Sequence, residues 1–255
     1  MTALSPFVLY PVLFLAALFA GTVDTMAGGG GLVTVPILMG LGWSPQDALG
    51  TNKFQASFGS GSATLHFARA GAVTWREVGW GVLFTALGSA AGSWAAGAVS
   101  AELLKRLIPV LLVGMALYFA ASPRLGVEER PPRMGSFPFH LLFGLVIGFY
   151  DGFFGPGTGS FWAVAYVLLL GLELRRATAR TKVMNFTSNL FSLAVFLLLG
   201  HVHFLPGLVM AAGQFLGGRV GARLVLTRGA RLVRPVFLAV VLLIAAKLLW
   251  DAYLR

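Results

Sequence analysis

The sequence predicts an all-α, polytopic helical membrane protein made of two similar halves. Three observations predict it. Hydrophobic residues make up 57% of the 255 residues and charged residues only 11%, where an average soluble domain carries about 25% charged residues. Uncharged stretches of membrane length recur along the chain. The landmarks of the first half return, in order, in the second.

The uncharged stretches are Met1–Val23, Val78–Ala101, Leu107–Pro123 and Gly152–Leu172, with Val183–Gly218 the longest and interrupted only by His201 and His203, counted as neutral. About 20 apolar residues cross a bilayer core as a helix. The runs are rich in Leu, Ala, Gly and Phe and lack the alternation of a membrane β-barrel. A signal peptide is the alternative for the first run, but it has no charged front end and the apolar character continues far beyond it. There is no cysteine, hence no disulfide, thiolate metal site or cysteine nucleophile.

The net charge of +10 resides in groups between apolar runs: Arg124, Arg130 and Arg133; Arg175, Arg176, Arg180 and Lys182; and Arg219, Arg223, Arg228, Arg231 and Arg234. Such grouping is a positive-inside topology signal. No soluble segment is long enough to build a basic nucleic-acid surface. The expected partner is the lipid bilayer, not nucleic acid.

Taken in order, the first half (residues 1–121) contains apolar segments at about 6–23, 30–43, 53–69, 76–98 and 104–121. A polar, proline-rich linker covers 122–136. The second half (137–255) contains segments at about 137–151, 158–172, 183–199, 204–224 and 232–250. Gly21-Thr-Val-Asp24 is echoed by Gly148-Phe-Tyr-Asp151, and Thr51-Asn52-Lys53 by Arg180-Thr181-Lys182. The acids are 127 positions apart and the lysines 129. Internal repeats are common in secondary transporters. The second segment of each half is short and starts at a glycine break, so it either crosses as a short tilted helix or re-enters. With ten crossings the halves are inverted (5+5), and the strongest basic clusters share one side. With re-entrant short segments the halves are parallel (4+4). The inverted arrangement places the strongest basic clusters together, with Lys53, Lys105 and Arg106 as exceptions, whereas the parallel one puts the Arg69–Arg76 and Lys105–Arg106 connections on opposite sides.

Four consecutive glycines, Gly28, Gly29, Gly30 and Gly31, cost about 1 kcal/mol each against alanine inside a helix. Gly155-Pro156-Gly157-Thr158-Gly159 breaks the equivalent run, because proline has no amide proton. Backbone that leaves the helix at membrane depth must face protein or water. Its amides and the start of the next helix form a ready anion site. The competing use of such glycines is close helix packing, which is the expected role of Gly88, Gly92, Gly217 and Gly221.

Asp24 and Asp151 each precede a break and are candidates for helix capping or proton coupling. Lys53 and Lys182 are candidates for point positive charge at an anion site, with Asn52, Thr181 and Asn185 as neighbouring donors. An interfacial anchor is the competing role for Lys182. Gln55, Asn189 and Gln214 continue polar faces inside apolar spans, as supporting residues or interhelical bonds. Enzyme chemistry has little support: the four histidines are scattered, and neither a His-Glu-x-x-His helix nor a Gly-x-Ser-x-Gly elbow is present. No catalytic residue, metal or cofactor is expected.

Three pieces together resemble the sulfite exporter TauE/SafE family, also called the toluene-sulfonate uptake permease family. They are Gly21-Thr-Val-Asp24-Thr-Met-Ala-Gly-Gly-Gly-Gly-Leu32, Gly50-Thr-Asn-Lys53 and Gly148-Phe-Tyr-Asp151-Gly-Phe-Phe-Gly-Pro-Gly-Thr-Gly159, supported by Thr181-Lys182 followed by Asn185. The resemblance covers almost the whole chain. It implies a secondary transporter of sulfite, sulfonates or other small sulfur-containing anions in a bacterial inner membrane, without ATP or metal. The glycine-flanked and lysine-flanked positions are its natural carry-over sites. An anion or solute channel using the same residues, and a non-transporting membrane assembly protein, are the competing classes. A homo-oligomer is compatible with the sequence.

Overall fold

A computed structural model describes residues 5–121 and 130–227. The predicted tenth segment (232–250), most of the linker, and Arg124, Arg228, Arg231 and Arg234 lie outside the described residues. Those residues fold into helices joined by short connections: α1 (Pro6–Ala27), α2 (Gly31–Gly40), α3 (Pro45–Arg69), α4 (Trp75–Ala98), α5 (Ala101–Ala121), α6 (Ser136–Phe153), α7 (Thr158–Leu169), α8 (Leu174–Leu198) and α9 (Phe204–Thr227). On length and composition alone, residues 6–26, 136–153 and 174–198 suffice to cross a membrane. At about 1.5 Å per residue, the 10-residue α2 and 12-residue α7 each reach only partway through a hydrocarbon core of about 30 Å.

Local chemistry sets the helix ends. α1 closes on Gly28, whose left-handed backbone (φ 75°) lets its N–H bond the Asp24 carbonyl. α3 opens with Ser44, whose hydroxyl accepts from the Asp47 N–H, and with Pro45 in the first turn. α3 and α8 begin well before the sequence-based starts at 53 and 183. Charges and polar residues ended the apolar runs too early. In the structure, Asn52, Lys53, Arg180, Thr181 and Lys182 are interior helical residues with 7% exposure or less. The polar residues of α3 and α8 turn inward, so low hydropathy there marks a core face.

Helices pair across the halves. α1 packs along α9, α4 along α6, and α3 lies between α8 and α9. Small residues permit the approach: a Cβ on Gly213, Gly217 or Gly221 would meet the α1 backbone at Phe14, Leu18 or Thr22, and one on Gly88 or Gly92 would meet α6 at Leu145 or Phe149. Both registers advance in the same direction, so each of these pairs is parallel. α3 and α8 are antiparallel: Gly50 lies against Phe196 and His201, and Gly61 against Phe186.

Contacts also sort the connections. Arg130 N–H bonds the Gly171 carbonyl, and Arg180 pairs with Glu77. The linker, the α7–α8 turn and the α3–α4 turn therefore share one end. At the other end His201 Nδ1 meets Asp47 Oδ1 at 2.9 Å, and Gln46 Nε2 donates to the Val99 carbonyl at 2.9 Å. The apolar core divides into one cluster around α2 and another around α7.

The glycine contacts give a first prediction. Gly217→Val places a branched side chain against Leu18 and Thr22 of α1, and overpacking of this kind costs about 1–3 kcal/mol. Its melting temperature in detergent should fall clearly. Gly79→Val, which has nothing within 4 Å, should leave it unchanged. Equal stability of the two variants would refute the packing role.

Candidate functional site

The two glycine breaks meet at the centre of the molecule. A Cβ built on Gly159 would lie 2.5 Å from the Gly28 Cα, and one on Gly31 would lie 3.1 Å from Pro156 Cγ. The backbones touch because neither glycine carries a side chain. Around this crossing lies a small, partly open cavity of about 30 Å³, lined by Asp24, Gly28, Gly31, Asn52, Lys53, Ala56, Asp151, Gly155, Thr158, Gly159, Asn185 and Asn189. The N-termini of α2 and α7 open onto it, and their dipoles favour negative charge.

Each lysine crosses to the other half. Lys53 Nζ bonds Asp151 Oδ1 at 2.6 Å and the Asp151 carbonyl at 2.5 Å. Lys182 Nζ bonds Asp24 Oδ2 at 3.0 Å and the Asp24 carbonyl at 2.5 Å. Each ammonium thus neutralises an acid near the end of a broken helix and satisfies a carbonyl of its last turns, where the dipole favours a cation. The lysine side chains are each 1% exposed. Burial at that level corrects the interfacial-anchor reading of Lys182.

The two pairs differ in their surroundings. Asp151 also accepts from the Ser188 hydroxyl, and its side chain is 5% exposed. Asp24 accepts from the Gly30 N–H at 3.2 Å, and its side chain is 23% exposed. Asn52 Oδ1 accepts from Thr34 Oγ1 at 2.6 Å and Gln55 Nε2 at 3.1 Å. With its oxygen engaged twice, Asn52 directs its Nδ2 toward Gly31. Asn185 and Asn189 follow Lys182 at three and seven positions, along one helix face. Asn185 Oδ1 is buried with no hydrogen-bond partner among the described residues.

The sequence-derived candidates divide accordingly. Asp24, Gly28, Gly31, Asn52, Lys53, Asp151, Gly155, Thr158, Gly159, Asn185 and Asn189 line the cavity. Gly29, Gly30 and Gly157 belong to the breaks behind that lining, and Gln55 supports Asn52. Lys182 and Thr181 are not part of the lining: Lys182 reaches it through Asp24, and the Thr181 hydroxyl is buried with no hydrogen-bond partner among the described residues. Gln214 lies away from the cavity, against Gly21 and Gly59 between α1 and α3. Sequence reasoning missed Ala56, the repeat counterpart of Asn185, and the exchanged lysine–acid pairs. The similar spacing of Asp24 and Lys53 in one half and Asp151 and Lys182 in the other, 29 and 31 positions, was the available signal. It also missed Asp47, which gathers His201 at 2.9 Å and His203 at 3.7 Å.

Apolar helices around a charged, buried cavity define a membrane transporter class. Comparison with known proteins specifies it. The sulfite exporter TauE/SafE family model matches residues 13–248. A probable membrane transporter protein, YfcA, of Escherichia coli K12 is 47% identical over 242 residues, covering 95% of this chain and 90% of the relative. A probable membrane transporter protein of Haemophilus influenzae is 44% identical over 243 residues, covering 95% of each chain. One from Bacillus subtilis, YunE, is 26% identical over 271 residues, covering 95% of this chain and 98% of the relative. The chain belongs to the sulfite exporter TauE/SafE family.

Proposed function

We propose that this protein moves a small anion across a bacterial inner membrane by alternating access. The favoured substrates are sulfite, an organosulfonate or a related sulfur-containing anion, with proton coupling at Asp24 or Asp151. The carrying observation is the crossing of two helix breaks at a cavity lined by Lys53, with Lys182 paired to the lining Asp24. Helix N-termini supply amide donors, Asn52, Asn185 and Asn189 supply directed side-chain donors, and Lys53 and Lys182 supply positive charge.

The halves are read as inverted five-segment repeats. Support comes from packing direction: the repeat-equivalent helices α3 and α8 run antiparallel, whereas eight crossings with parallel halves would align them. Among the described residues, Arg69, Arg76, Arg130, Arg133, Arg175, Arg176 and Arg180 also gather at one end, the expected cytoplasmic side. A symmetric pair of broken helices around one site is a recurring basis for alternating access.

Sulfite and methanesulfonate flux into proteoliposomes of the purified protein tests the reading. Saturable uptake with accelerated counterflow is expected, and Lys182→Ala should lower flux at least about ten-fold, as loss of a charge-assisted bond worth about 1.5–3 kcal/mol implies. Non-saturating flux without counterflow would replace the carrier with a channel. Wild-type flux in Lys182→Ala, at matched folded protein, would remove that lysine from the site.

A further inference from the structure

Lys53, Asp24 and Asp151 line the cavity and Lys182 stands behind Asp24, so two ammonium and two carboxylate groups gather there, each ammonium within 3.0 Å of a carboxylate. With all four ionised its charges cancel. An added monovalent anion would then be uncompensated in a buried, low-dielectric site, which is strongly unfavourable. The lysines alone do not make it an anion site, because both are already paired.

We infer that the anion binds together with one proton, taken by Asp24, so that Lys182 is released from its carboxylate partner and turns to the substrate. This rests on the transport reading above and narrows it to electroneutral coupling of one proton per monovalent anion, with the acid specified.

The geometry separates the two acids. Asp151 is held at both oxygens, by Lys53 at 2.6 Å and by Ser188, with its side chain 5% exposed. Asp24 is held by Lys182 at 3.0 Å and the Gly30 N–H at 3.2 Å, with its side chain 23% exposed. Asp24 therefore has the looser bonds and the better access for a proton. Protonation leaves Lys182 bonded to the Asp24 carbonyl at 2.5 Å, so the ammonium stays beside the cavity with a donor to spare. No bond other than the O–H on Asp24 is made.

Among the described residues, few charged groups face Asp24, and Lys53 is already engaged by Asp151. α8 presents Lys182, α3 presents Lys53 and α6 presents Asp151. α9 faces α1 with Gly213, Gly217 and Gly221, and its Arg219 and Arg223 are exposed. α2 has no titratable side chain, and α7 has only Tyr166, whose hydroxyl meets His140.

Proton uptake on binding is the test. Calorimetry of the full chain in detergent, in buffers of different ionisation enthalpy, gives the protons taken up with methanesulfonate and with sulfite. Methanesulfonate carries no proton itself at neutral pH. Wild type should take up about one proton more than D24N for either anion, and D24E should restore the uptake. Once Asp24 is ionised, wild-type affinity should fall about ten-fold per unit rise in pH, and that of D24N should stay flat. Binding by wild type without proton uptake, or equal uptake by D24N, overturns the inference and leaves anion transport standing. If neither anion is bound or moved by the wild-type protein, the transport reading fails and the inference with it.

Discussion

Lys53→Met is expected to destabilise the protein by about 3–5 kcal/mol, the usual consequence of leaving one member of a buried ion pair alone. Its partner Asp151 cannot turn to solvent, because its side chain is 5% exposed and lies between Lys53 and Ser188. The Asp151 carbonyl also loses its bond from Nζ. Removing both charges, in Lys53→Met with Asp151→Asn, should restore much of the melting temperature, since no orphan charge remains. Flux should stay lost in both variants if Lys53 serves the anion. Thermal unfolding in detergent and flux in proteoliposomes separate the two effects. A double variant that regains full transport would reduce Lys53 to a structural role.

Gly159→Ala is expected to abolish transport to within background. Its Cβ would lie 2.5 Å from the Gly28 Cα and 3.0 Å from Asn185 Nδ2. Backbone cannot yield as a flexible side chain can, so the two breaks must part. Gly28→Ala should be at least as severe, because its positive φ (75°) adds about 1–3 kcal/mol of strain. Gly200→Ala supplies the control: it has the same φ of 75° but nothing within 4 Å. That variant should keep its transport despite a modest loss of stability. Normal flux per folded molecule in Gly159→Ala would mean that contact between the breaks is dispensable.

Much of this arrangement was legible in the residues. The glycine runs marked the breaks because glycine in series opposes a helix. The paired acids and lysines marked the cavity because charge inside apolar sequence demands a purpose. Which acid joins which lysine was hidden, since Lys53 and Asp151 are 98 residues apart and Lys182 and Asp24 are 158 apart. Spacing along a chain carries no register between halves. The same limit hid Asp47, whose histidines lie across the fold. The starts of α3 and α8 were hidden for a different reason. Hydropathy reads Thr51-Asn52-Lys53 and Arg180-Thr181-Lys182 as an exit to water, whereas these residues are buried inside the helix bundle. Gln214 stood out as a polar residue in an uncharged span, but its neighbours are the small residues Gly21 and Gly59, which only the fold brings together.

The exchange of partners, α1 with α9 and α4 with α6, bears on how a ribosome can deliver this protein. α1 is synthesised first, yet its companion emerges close to two hundred residues later. Lys53 likewise enters the bilayer long before its carboxylate has been made. The nascent first half must therefore wait, with a charged residue and glycine-matched surfaces still uncovered. Two fragments divided within residues 122–129 and expressed together should find each other, while either one alone should be degraded.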